Sequence, residues 1–107
     1  YDNRERWEML RDFFVGFIKI HILYHAGEAP VYGLELVEEL ARHGYQISPG
    51  TLYPTLHNLE ARGYLVSEKR LVDGRWRKYY TLTEQGRAAL EEARDRIREL
   101  VGEVLAE

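Results

Sequence analysis

The sequence predicts a mostly helical α+β fold. Three observations carry this reading: apolar residues at helical spacing in several segments, two strand-like runs around an Asp-Gly pair, and glycines where helices should end. The 107 residues suit a single domain, 1–107, and 45% apolar content supplies one modest core without metals or disulfides.

The first element is a helix within 1–26. Leu10, Phe13, Phe14, Phe17, Ile18 and Leu23 recur at helical spacing from about Asn3, and Ala26-Gly27 closes the run. From Phe13 to Tyr24 it is apolar on more than one face, so both a core and a second subunit are expected to cover it. After a turn at Gly27-Glu28-Ala29-Pro30, Tyr32 to His43 predicts a short second helix. Its inward stripe is Leu34, Val37, Leu40 and Ala41, and Gly44 supplies the left-handed end. Tyr45-Gln46-Ile47 bridges to Ser48-Pro49, where the Ser oxygen is expected to cap free amides and Pro occupies a position whose N–H would be unpaired anyway. The third helix packs Leu52, Leu56 and Leu59 inward and stops at Gly63. Tyr64 to Arg70 and Arg75 to Leu82 then read as two strands around Val72-Asp73-Gly74, a hairpin signal. Thr83 caps a last helix, 83–107, whose seam runs through Leu90, Ala93, Ile97, Leu100 or Val101, and Val104 or Leu105. Such a seam calls for a partner helix.

Helix, tight turn, helix and hairpin over 31–82 make a winged helix-turn-helix, with the extra first and last helices expected to form a dimer interface. The net charge of −3 is unevenly spread. From Arg42 to Arg87 there are eight Lys or Arg against four acids, so a basic middle lies between acidic ends. Opposite its leucines, the third helix presents Gly50, Thr51, Pro54, His57 and Asn58, with Tyr53 at the edge. Hydroxyl, imidazole and amide groups of this kind can donate and accept at base edges, whereas a merely solvated face usually carries Lys and Glu. In the hairpin, alternation sets Arg75, Arg77 and Tyr79 on one face and Trp76, Lys78 and Tyr80 on the other. Arg75 and Arg77 are the expected phosphate contacts, and the opposite face is expected to lie on the core.

The run Ser48-Pro49-Gly50-Thr51-Leu52-Tyr53-Pro54-Thr55-Leu56-His57-Asn58-Leu59-Glu60-Ala61-Arg62-Gly63, then Gly74-Arg75 and Tyr79-Tyr80-Thr81-Leu82-Thr83-Glu84-Gln85-Gly86, resembles the PadR family of bacterial transcriptional regulators, as does Pro30-Val31-Tyr32-Gly33. The resemblance extends from about Phe14 to Leu90. It implies a homodimer on a two-fold symmetric operator, usually repressing a neighbouring gene, with small-molecule control in some members. Carried onto matching positions, its contacts fall on Tyr32, Ser48, Thr51, Tyr53, His57 and the Gly74-Arg75 wing tip. The single last helix resembles the smaller subfamily. Some such members hold flat aromatic drugs between tryptophans of that helix, which has no Trp here. Trp7, Phe13, Phe14 and Phe17 are candidates to line an interfacial cavity for an aromatic or phenolic effector, and the simpler reading makes them dimer core.

Other classes fit less well. No cysteine is present, which excludes disulfides and thiolate zinc clusters and suits a reducing cytoplasm. Phe13 to Tyr24 is too short to span a bilayer and contains Lys19 and His21, so a soluble protein with no membrane partner is expected. His21 and His25 share a helix face with Glu28 nearby, yet a third ligand and a general base are missing, and no metal or other cofactor is expected. Phosphate loops and nucleophile elbows are absent, so no catalytic residue is assigned. A protein-binding winged helix would be expected to lose the Arg-rich wing and bury its third helix.

Overall fold

A computed structural model describes residues 3–106. The elements run α1 (Asn3–Glu28), β1 (Val31–Tyr32), α2 (Gly33–Arg42), α3 (Pro49–Ala61), β2 (Leu65–Val72), β3 (Arg75–Leu82) and α4 (Glu84–Val104). This is the mostly helical α+β winged helix that the sequence predicts, with differences at several boundaries. α1 continues two residues past Ala26, and α4 stops at Val104, with Glu107 outside the described residues.

The core is formed by Ile22, Leu23 and Ala26 of α1, Leu36 and Leu40 of α2, Leu52, Leu56 and Leu59 of α3, Leu65, Tyr80 and Leu90. The α3 stripe is the predicted one. On α2 the inward stripe is instead Gly33, Leu36 and Leu40, while Leu34 is 57% exposed and Ala41 is exposed. Apolar residues at 34, 36, 37, 40 and 41 cover a wide arc of this helix, and packing on α1 and α3 decides which part of the arc is buried.

Both helices of the helix-turn-helix end alike. Gly44 (φ 88°) donates to the Ala41 carbonyl and Tyr45 to that of Leu40. Gly63 (φ 83°) donates to Glu60 and Tyr64 to Leu59. These are the paired bonds of a left-handed glycine cap, and they aim the following segment back across the helix end. α3 starts differently from expectation. The Ser48 hydroxyl caps no amide and instead donates to Thr51 Oγ1 at 3.3 Å, while the first turn tightens through Thr51 N–H to the Ser48 carbonyl at 3.0 Å. Pro54 leaves the Gly50 carbonyl without its helical donor, and α3 runs unbroken across it.

Pro30 to Tyr32 does not form a simple turn into α2. Val31 and Tyr32 pair antiparallel with Tyr80 and Tyr79, making a three-stranded sheet in the order β1-β3-β2. Tyr32 is therefore a strand residue that precedes α2, correcting its expected place inside the helix. Its N–H donates to Glu35 Oε1 at 3.3 Å. β2 reaches Val72, so the hairpin turns on Asp73 (φ 50°) and Gly74 (φ 76°) alone, the two-residue geometry whose twist matches its strands.

Residues 3–14 of α1 are exposed throughout, as are 98–106, the last turns of α4 and the two residues after it. The radius of gyration is 15.5 Å, against about 13 Å for a compact chain of this length. The excess comes from extended elements. Phe13, Phe17 and Ile20 of α1 face Ile97, Val101 and Val104 of α4 across an apolar groove of about 600 Å³. Trp7, Met9, Leu100, Val101, Val104 and Leu105 are each 46–69% exposed.

Candidate nucleic-acid interface

The leucine stripe on α3 turns the opposite face outward. Ser48, Thr51, Tyr53, Pro54 and His57 are exposed and Asn58 is half-buried. Their row offers hydroxyl, imidazole and amide groups beside two small residues. No carboxylate lies among them. Thr55 is drawn back onto the helix, its hydroxyl donating to the Thr51 carbonyl at 2.8 Å.

Beside this face lies a cleft of about 440 Å³. Tyr53 and His57 form one wall, Tyr32, Gly33 and Leu34 its end, and Arg75 to Lys78 with Tyr80 the other wall. Its lining carries three cations and no carboxylate, so it concentrates positive potential next to α3.

Alternation sorts the wing as expected, but the two faces are not used as predicted. Tyr80 is buried and belongs to the core, whereas Trp76 is 70% exposed. Trp76 pairs with Leu71, one step from the turn, and lines the cleft beside α3 instead of the core. Lys78 reaches Glu60 of α3 at 3.4 Å and lies 5.6 Å from the Tyr80 ring centroid. Glu60 also accepts from the Ser67 hydroxyl. That hydrogen bond, with Lys78 adding, holds the Glu60 carboxyl below its usual range against the opposing effect of burial. Lys78 thus braces the wing against α3.

Arg77 is half-buried, its guanidinium 4.6 Å from the Tyr32 ring centroid; its pKa is raised, chiefly by a hydrogen bond to Tyr79. Tyr32 and Tyr79 meet edge to face at 5.3 Å. Arg70, opposite Arg77, lies 4.8 Å over Tyr79 and 3.5 Å from Glu68. Arg77 is pre-oriented by aromatic rings. Arg75 and Gly74 are exposed at the tip.

A sequence profile described as the Transcriptional regulator PadR-like family matches residues 22–92, which includes every element from the end of α1 to the start of α4. The chain belongs to the PadR-like family of transcriptional regulators. It is 56% identical over 96 residues, 90% of each chain, to Transcriptional regulator Rv3488 of Mycobacterium tuberculosis. The fold is similar to a crystal structure of a PadR family transcriptional regulator from Eggerthella lenta, with TM-score 0.80, 34% identity, and 97% of this chain and 95% of that one covered. A PadR-like transcription factor from Bacteroides fragilis gives 0.79 and 28%, covering 91% and 95%.

Within this PadR-like chain, sequence reasoning missed several residues at the cleft. Gly33 is the clearest. A Cβ there would lie 2.6–2.8 Å from the Tyr53 hydroxyl and ring, so Tyr53 rests directly on the start of α2. Tyr53 is 52% exposed and only the far end of its side chain meets that Cβ, so Gly33→Ala is expected to swing the ring aside with a stability change within about 0.5 kcal/mol, read as a nearly unchanged urea midpoint. A clearly lower midpoint would mean that the ring is held on its seat. The Tyr32-Gly33 pair within the family resemblance was the available signal.

The four aromatic candidates for an effector do not converge in one chain. Phe13 and Phe17 meet at 4.5 Å in the α1/α4 groove, Phe14 turns to Tyr45 at 6.2 Å, and Trp7 is 57% exposed further along α1. Conversely, a third histidine missed in the sequence, His43, stands beside His21 and His25. Among the described residues, no helix is long and apolar enough to cross a membrane.

Proposed function

We propose that this regulator binds duplex DNA as a homodimer on a two-fold symmetric operator and acts in the cytoplasm as a repressor. The exposed hydrogen-bonding row of α3, set beside a cleft free of carboxylates, carries this reading. In it, Thr51, Tyr53, Pro54, His57 and Asn58 approach base edges in the major groove, with Ser48 and Tyr32 at the phosphates flanking them. The wing grips the neighbouring backbone through Gly74, Arg75 and Arg77. Two copies pair through the α1/α4 groove, because its apolar side chains remain exposed in one chain and its helices lie outside the helix-turn-helix. A flat aromatic effector would seat there against Phe13 and Phe17. Membership of a family of regulators supports a role without catalysis.

A salt titration on a labelled duplex taken from upstream of the protein's own gene tests the reading. Affinity should fall steeply with salt, by a log–log slope of about 0.9 for each phosphate neutralised. Replacing both Arg75 and Arg77 by Ala should flatten that slope and weaken binding to all duplexes alike, whereas Tyr53→Ala should blur the preference among them. A flat salt response of the wild-type protein would remove the DNA reading.

A further inference from the structure

We propose that His21, His25 and His43 form a binding site for a divalent transition-metal ion of the zinc class, joining α1 to the C-terminal end of α2. His21 and His25 lie one turn apart on α1, and the glycine-capped end of α2 brings His43 against them. One ring nitrogen from each lies within 4.8 Å of the others. Tetrahedral ligation at about 2.0–2.1 Å separates nitrogens by about 3.3 Å, so closure needs shifts of about 1.5 Å at most. Exposed His43, the residue capping α2, is the natural one to move.

A further observation favours a cation. Among the described residues, His25 Nε2 is a buried side-chain nitrogen with no hydrogen bond, and such groups ordinarily find a partner. Glu39 Oε2 stands 3.9 Å away, too far for a hydrogen bond, and the other oxygen of that carboxylate is held by Arg42, so His25 Nε2 is left to another partner.

The rings border a hollow lined also by Tyr24, Phe17 and Arg94, which gives an ion a way in. Arg94 is the one cation there, and its guanidinium is held by Glu91 at 2.5 Å. Three imidazoles with an open fourth position suit zinc, copper or nickel, and they discriminate against magnesium and calcium, which prefer oxygen. The ring stacking of His21 on His43 at 4.8 Å is the competing account of the cluster, and it predicts no metal affinity.

The site is independent of DNA binding, so its test uses none. The full chain, stripped with chelator, is titrated with zinc by calorimetry and melted with and without it. One zinc per chain and a raised Tm are expected, with no Tm shift from magnesium. Cobalt in place of zinc should show the visible absorption of a tetrahedral site. His43→Ala removes an exposed side chain, so the fold should persist by circular dichroism while zinc affinity drops roughly tenfold or more, the loss that even an outer partner of a ligand causes. His57→Ala, on the far face, should bind zinc as the wild type does. Absence of zinc binding by the wild type, or equal affinity in His43→Ala, would overturn the assignment.

Discussion

Gly86→Ala is expected to destabilise the protein by about 3–5 kcal/mol, although helix propensity alone favours Ala by about 1 kcal/mol. Gly86 lies in the first turn of α4, where a Cβ would stand 2.1 Å from the Tyr64 carbonyl oxygen and 2.6 Å from Leu82 Cδ1. Leu82 can rotate away. The Tyr64 carbonyl cannot, because it accepts from Thr83 N–H at 3.2 Å, while the Thr83 hydroxyl donates to the Gly63 carbonyl at 2.6 Å and accepts from Gly86 N–H at 2.9 Å. The glycine therefore joins the end of α3 to the start of α4. Moving it apart breaks hydrogen bonds worth about 0.5–1.5 kcal/mol each, besides the overpacking cost. Since each kcal/mol shifts Tm by about 4–8 °C in a domain near this size, the melt should fall by 12 °C or more. A neutral or stabilising Ala would mean that α4 can draw back without loss.

Val101→Glu should give a folded monomer that binds its operator at least about a hundredfold more weakly. Val101 is 46% exposed on α4 and faces the groove, so a carboxylate there costs the single chain little. Between two copies it would place charge in apolar surroundings, where burial without a partner is strongly unfavourable. Two linked reading heads gain about 10²- to 10⁴-fold over one, and a monomer forfeits that gain. Light scattering gives the mass and anisotropy the affinity. A Val101→Glu dimer of unchanged affinity would place the interface elsewhere.

Features set by neighbouring residues were the legible ones. Leu52, Leu56 and Leu59 follow one stripe, Asp73-Gly74 names its turn, and Thr83 caps α4 as its position implies. Contacts between distant segments were not legible. β1 is two residues long and exists because β3 pairs with it. The Tyr53 ring on Gly33 and the Tyr64 carbonyl beside Gly86 depend on how helices cross, and nothing local distinguishes those glycines from one in a loop. His43 looked like a plain helix end because its neighbours, His21 and His25, lie eighteen or more positions earlier. At the candidate interface, residue types pointed to the outward face of α3. The stacking of Arg77 on Tyr32 came only with the fold.

That stack has a consequence for how sequence is sensed. Tyr32 joins the sheet, immediately precedes α2 and supports Arg77, so the wing cannot tilt without loading the helices beside it. On the proposed DNA reading, a duplex whose backbone does not meet the wing at its resting angle would have to bend or narrow to fit. Base pairs under the wing would then be selected by flexibility as much as by their exposed edges, and operators alike at every touched base would still differ in affinity.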